Sequence, residues 1–195
     1  ASRFSNSGGL GIIAALNFPK FEDYRKELQK MKSLTDKPFG INLSLPHSGF
    51  KSPDKKTRTK EDYIKYVDIA LNEGIKIFTT SGYEAKFIGN RIHQQGGHWF
   101  HKCVIMRHAI SAEKAGADAV TLVGLEGTGF KNPLTTTTLV NITMAKKLLK
   151  VPIIAAGGIG DARGFLSTLF MGASCVCLGT ALMATEECPV SPEIK

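Results

Sequence analysis

Short apolar runs alternate along the chain with amphipathic stretches at helical spacing. The runs Leu10–Ala15, Phe39–Leu45, Lys76–Ser81, Trp99–Val104, Ala119–Gly124, Pro152–Ala156 and Ser174–Leu178 are mostly apolar on both faces, as parallel strands covered by helices are. Between the first two runs, Phe21, Tyr24, Leu28 and Met31 fall on one helical face. Between the next two, Tyr63, Ile64, Val67, Ala70 and Leu71 do the same, and Gly74 follows as a helix stop. Further helices are predicted over 107–115, 138–149 and 162–170.

Alternation of this kind means βαβ units and a parallel sheet. With no reversal of the pattern, the α/β class expected is a (β/α)8 TIM barrel rather than a doubly wound sheet. A complete barrel has eight strands in about 250 residues; this chain of 195 residues offers seven strand runs. It opens in Phe4-Ser-Asn-Ser-Gly-Gly-Leu, a helix or turn that leads straight into a strand. The first strand and a C-terminal extension are therefore expected outside these residues, which are read as a single partial barrel domain, 1–195.

Composition narrows the function classes. Hydrophobic residues make up 43% and charged residues 22%, with 20 Gly, 8 Pro and 4 Cys, an ordinary globular balance. No stretch approaches the roughly 18 apolar residues of a membrane span, and the start has no charged-then-apolar leader, so a soluble protein is expected. Half of the net charge of +8 lies in the run Lys51-Ser-Pro-Asp-Lys55-Lys56-Thr-Arg58-Thr-Lys60, and the rest is spread over helix faces. Without interleaved aromatics, such a run reads as a solvated loop able to steer an anionic ligand; neither nucleic acid nor membrane is an expected partner. Cys103 and Cys188 stand alone, and Cys175 and Cys177 are read as pointing to opposite faces of a strand. No zinc spacing emerges and no metal is expected. Incidental thiols suit a reducing compartment, read as the cytoplasm.

In a barrel, chemistry sits in the loops after the strands. The strongest such segment is Ala155-Ala-Gly157-Gly158-Ile-Gly-Asp161-Ala-Arg-Gly164, followed one βα unit later by Leu178-Gly179-Thr180. Paired glycines let a backbone approach a ligand closely, a helix beginning near Asp161 would aim N–H groups at an anion, and the last two loops of a barrel commonly form a phosphate site. Tight turns alone would also explain the glycines. Asn42 is an amide inside an apolar strand, suited to a heterocycle edge or to a partner on the next strand. Lys102 lies in an apolar strand, where an amine needs an anion or a path to water. His101, facing the other way, is read as a satisfied core or interhelix histidine. Glu126, in the loop from Gly124 to Pro133, is either an acid or a turn-capping carboxylate. Gly96-Gly97-His98 precedes a strand and is read as a turn. No Ser/His/Asp order, HExxH helix or Walker-type loop is present.

At these residues the chain resembles the nitronate monooxygenase family (formerly 2-nitropropane dioxygenases), flavin enzymes on a TIM barrel. The matching stretches are Ser5-Asn-Ser-Gly-Gly-Leu-Gly11, Phe39-Gly-Ile-Asn42-Leu, His101-Lys-Cys-Val-Ile-Met-Arg107-His-Ala, Ala115-Gly-Ala-Asp-Ala-Val120, Ala155 to Gly164, and Leu178-Gly-Thr180 with Ala184-Thr-Glu186. The resemblance implies FMN, its phosphate held by Gly157, Gly158, Gly179 and Thr180, and its ring and ribityl region near Asn42 and Lys102; Thr128 is a further expected contact. It implies that the absent pieces are the family's first strand and its C-terminal helical lobe. It also implies an oxidoreductase acting on small nitronate or nitroalkane substrates with oxygen. Alternatives are an NAD(P)H-dependent flavin reductase of enoyl-acyl carrier protein or quinone type, and a catalytically impaired flavin-binding barrel. Two positions depart from the family pattern. Phe130 stands where a histidine is usual, so no catalytic residue is assigned, and Val123 stands where Asp is common.

Overall fold

The computed structural model describes residues 1–46, 58–82, 85–127 and 135–195. Most of the basic run, together with Thr128 and Phe130, lies outside these described residues. The chain divides into two compact units, Ala1–His101 and Lys102–Lys195.

The first unit contains α1 (Ser2–Asn6), β1 (Gly11–Ala14), α2 (Phe21–Leu34), β2 (Phe39–Ser44), α3 (Lys60–Asn72), β3 (Ile77–Ser81) and α4 (Lys86–Gln94). It closes in β4 (His98–Cys103), whose last residues open the second unit. There follow α5 (Met106–Lys114), β5 (Ala119–Val123), α6 (Thr138–Leu148), β6 (Ile153–Ala156), α7 (Ala162–Phe170), β7 (Cys175–Cys177) and α8 (Thr180–Met183). Strands β1, β2 and β3 pair in parallel and in chain order, as do β5, β6 and β7. A doubly wound sheet would reverse its order at a switch point. Within each unit the order runs straight, as in the α/β-barrel class read from the sequence.

The strand runs lie where the apolar pattern puts them, within two residues at each end. In the first unit, Tyr24, Leu28 and Met31 of α2 are buried, as are Tyr66, Val67 and Ala70 of α3 and Ile41 and Leu43 of β2. Burying each such large side chain contributes about 1.5–3 kcal/mol. Tyr24 and Tyr66 meet edge to face at 5.2 Å between ring centroids. Helix α3 begins in a capping box, Thr59 with Asp62, which satisfies two otherwise orphaned N–H groups. In the second unit Ile142, Ala155, Ile159 and Ala173 form a buried cluster against which Met171, Val176 and Leu178 pack. Helix α6 and strands β6 and β7 are thus locked by one apolar seam.

Helix α4 is not in the pattern read from sequence. Its nine residues carry Gly89 mid-helix, a residue that argues against a helix by about 1 kcal/mol relative to Ala. The reason for the glycine is tertiary: a Cβ there would meet the Trp99 ring at 2.2 Å. The expectation for Cys175 and Cys177 is also corrected. Alternate residues of a strand share a face; both thiols are exposed, and each lies within Coulombic reach of the other. Among the described residues, no helix is long and apolar enough to cross a membrane.

Candidate functional site

The two glycine turns leave neighbouring parallel strands at the same end. Strand β6 pairs with β7 in the register Ala156↔Cys177, so Gly157-Gly158 and Leu178-Gly179 follow adjacent, hydrogen-bonded strands. Gly157 and Gly158 have φ of +101° and +71°, a backbone shape that favours glycine. Their missing side chains also serve packing. A Cβ on Gly157 would lie 2.9 Å from Gly127 N and from Thr138 Oγ1, and one on Gly158 would lie 3.2 Å from Glu126 Cβ. Gly179 differs, because a Cβ there would meet nothing within 4 Å. Among the described residues, no group fills that side.

The N-terminus of α7 is already served. Asp161 caps it, accepting from Gly164 N at 2.8 Å. That hydrogen bond, with a contribution from Arg163, holds the carboxyl below the ordinary aspartate range. A second anion at the same spot would face this carboxylate, so the backbone donors this segment leaves are those of the glycine turns themselves. Helix α8 starts at Thr180, directly after Gly179.

Lys102, on β4, is half-buried. Burial pushes the Cys177 thiol up, and the Lys102 ammonium pulls it partway back. The cation therefore lies near β7, two residues before Gly179. Asn42 belongs to the first unit. Its Nδ2 donates to Thr79 Oγ1 at 2.9 Å, and its Oδ1 accepts from Ser44 Oγ at 3.1 Å. The amide is thus held by its strand neighbours, with one Nδ2 proton in addition to the bond made. His101 is buried, and the Thr80 hydroxyl lies 2.7 Å from its Nδ1.

Sequence reasoning left the role of Glu126 open and missed that of Thr138. Glu126 is a capping carboxylate. Its Oε2 accepts from Thr138 N at 2.9 Å and from Thr138 Oγ1 at 3.0 Å. Burial works against its charge, but these bonds and its own backbone N–H outweigh burial and hold the carboxyl below the usual glutamate range. Thr138 Oγ1 also lies 2.9 Å from the carbonyl oxygens of Ala156 and Gly157. The only signal for this in the sequence is a threonine run, 135–138, ahead of an apolar helix. The capping rules pick Thr137 from it, which does accept from Val140 N, but they say nothing of the next residue reaching back to another loop. Val123, at the position where Asp is common, is buried and its carbonyl accepts from Asn141 Nδ2 at 3.3 Å.

A hollow of about 610 Å³ at the end of α2 is lined by Asn6, Thr35 and neighbours. Its lysines, Lys32 and Lys37, are paired with Glu73 and Asp36, and it carries none of the chemistry above.

Parallel βα units whose strands pair in chain order within each unit define a class, the α/β-barrel proteins. Within it, a family profile described as Nitronate monooxygenase matches residues 1–195, and the chain belongs to that family. The family is one of oxidoreductases that use a flavin. Among curated relatives, a (3aS,4S,5R,7aS)-5-hydroxy-7a-methyl-1-oxo-octahydro-1H-indene-4-carboxyl-CoA dehydrogenase of Rhodococcus jostii is 29% identical over 98% of this chain and 50% of its own. A probable nitronate monooxygenase of Staphylococcus haemolyticus is 29% identical over 98% of this chain and 62% of its own. Among solved structures, FabK from Thermotoga maritima superposes with a TM-score of 0.84 and 31% identity, over 98% of this chain and 57% of that one. The chain spans about half the length of the curated dehydrogenase it matches.

Proposed function

We propose that this chain carries the FMN-binding part of an oxidoreductase that oxidises small nitronate-type substrates with oxygen. The observation that carries the reading is the pairing of β6 with β7, which sets the Gly157-Gly158 and Gly179-Thr180 turns on adjacent strands. The residues fit the group. Gly179 has open space on its Cβ side among the described residues, and Lys102 adds positive charge near β7. Gly157, Gly158, Gly179 and Thr180 would hold the phosphate, and Lys102 the polar edge of the remainder. Bound FMN supplies the electron acceptor for the substrate and the donor to oxygen. The chain itself supplies position and positive charge. Phe130, where a histidine is usual, cannot exchange a proton; a nitronate is already deprotonated and needs no base at that position.

A second reading takes the substrate to be a bulky acyl-CoA thioester. It is favoured by the dehydrogenase relative, which aligns along 98% of this chain, and by the net charge of +8, which suits an anionic nucleotide handle. The absorption spectrum of the purified protein tests the flavin itself, and a colourless preparation that ignores added FMN ends the proposal. Oxygen uptake on adding a nitronate supports the first reading. Flavin bleaching by an acyl-CoA under anaerobic conditions, with no nitronate turnover, replaces it with the second. Rapid anaerobic bleaching by NADH or NADPH would instead mark a nicotinamide-dependent reductase.

A further inference from the structure

We infer that Thr138, held by Glu126, is a positioning residue for the turn that receives the phosphate. The inference rests on the FMN reading above. It starts from an imbalance of donors and acceptors. The Thr138 hydroxyl has one proton, yet three acceptors surround it: Glu126 Oε2 at 3.0 Å and the carbonyl oxygens of Ala156 and Gly157, each at 2.9 Å. The N-terminus of α6 has its own hydroxyl cap in Thr137, so ending that helix does not require a carboxylate from twelve residues earlier in the chain. What Glu126 does instead is fix the Thr138 backbone and hydroxyl together, at 2.9 and 3.0 Å.

The packing around this pair leaves almost no slack. A Cβ on Gly124 would lie 2.1 Å from Thr138 N, and one on Gly127 would lie 2.2 Å from Val123 Cγ1. Gly124 N donates to Ala156 O at 3.1 Å. The loop after β5, the start of α6 and the turn after β6 therefore form one knot, and Gly157 is its output. Turning the Gly157 carbonyl toward Thr138 fixes the peptide plane that it shares with Gly158 N–H, because the two groups lie on opposite sides of one planar unit. With the carbonyl facing Thr138 Oγ1 at 2.9 Å, as one of the three acceptors that share its proton, that N–H is aimed away from Thr138, and a preorganised donor is worth more to an anion than one that must first be ordered.

The test compares FMN with riboflavin, which lacks the phosphate, on the full chain by equilibrium titration. The wild type is expected to bind FMN the more tightly. Thr138→Val, nearly isosteric but without the hydroxyl, is expected to shrink that preference about tenfold while leaving riboflavin affinity unchanged. Thr138→Ser is expected to restore the preference. Thr138→Ala, which suits a helix, carries the same comparison should the valine variant fail to fold. If Val and Ala variants keep the wild-type preference, or weaken both ligands equally, Thr138 is structural and the inference is overturned. If the wild type itself does not distinguish the two ligands, the phosphate reading fails and takes this inference with it.

Discussion

The Thr80 hydroxyl lies 2.7 Å from Nδ1 of His101, and the Trp99 indole nitrogen donates to the same oxygen from 2.7 Å. An indole N–H can only donate, so the Thr80 oxygen accepts there and its proton is free for the imidazole. All three side chains are buried. Replacing Thr80 by Val would leave a buried N–H and a buried ring nitrogen without this partner, at a cost of about 1–3 kcal/mol each. Thr80→Ser keeps the hydroxyl and loses only a methyl, about 1 kcal/mol. Urea denaturation should therefore rank wild type above Ser and Ser well above Val; equal midpoints for Ser and Val would remove the argument.

Gly89 and Trp99 make a tighter test of packing. Alanine at 89 gains about 1 kcal/mol of helix propensity. It also places a carbon 2.2 Å from a ring that is 1% exposed, and overpacking of this kind costs about 1–3 kcal/mol or more. The clash is expected to win, with a lower melting temperature for Gly89→Ala. A more stable variant would show that the ring moves aside freely.

Tyr24 offers the reverse case. Among the described residues its buried hydroxyl has no hydrogen-bond partner, and burial pushes its pKa far up. An unsatisfied buried hydroxyl costs about 1–3 kcal/mol. Tyr24→Phe removes it while keeping the ring against Phe18 and Tyr66, so stability is expected to hold or rise. A clear loss of stability on denaturation would mean that the hydroxyl is satisfied after all.

Acid should weaken the knot around Glu126. Its carboxyl is held below the ordinary value by its hydrogen bonds. A group with a depressed native pKa contributes stability above its unfolded pKa, near 4.3 for Glu, and loses that contribution as pH falls through the native value. The stability gap between wild type and Glu126→Gln is expected to be full near neutrality and to close in acid. A gap that does not change with pH would mean the charge is irrelevant to the bond.

Gly179 separates folding from ligand binding. Because a Cβ there meets nothing within 4 Å among the described residues, Gly179→Ala should fold like the wild type. Gly179→Asp adds a negative charge beside the proposed phosphate turn, where like charges repel. The expected result is a folded protein with its flavin absorbance lost; full retention of flavin would place the phosphate elsewhere.

Strands were legible because burial on both faces writes an apolar run that no turn imitates, and α7 is found at the bounds its pattern predicts. Helix α4 was not, because Gly89 answers to Trp99, ten residues on and in the next strand. The site shows the same division. The glycine turns can be read, being local backbone features, and their adjacency follows from the strand order. Thr138 could not be read as a site residue, since its function depends on Glu126 and Gly157, which only the fold brings to it. Asn42 marked a polar need inside a strand, but whether Thr79 or a ligand meets that need is a matter of register.

Strand β7 contributes only three residues, yet the Gly179 turn hangs from it. So short a ladder leaves the turn dependent on the apolar seam with α6, and loss of that seam on warming would release the turn. Any nucleotide seated there would bleed away while the helices still absorb circularly polarised light as folded ones do, so the colour of the protein would fade before its ellipticity does.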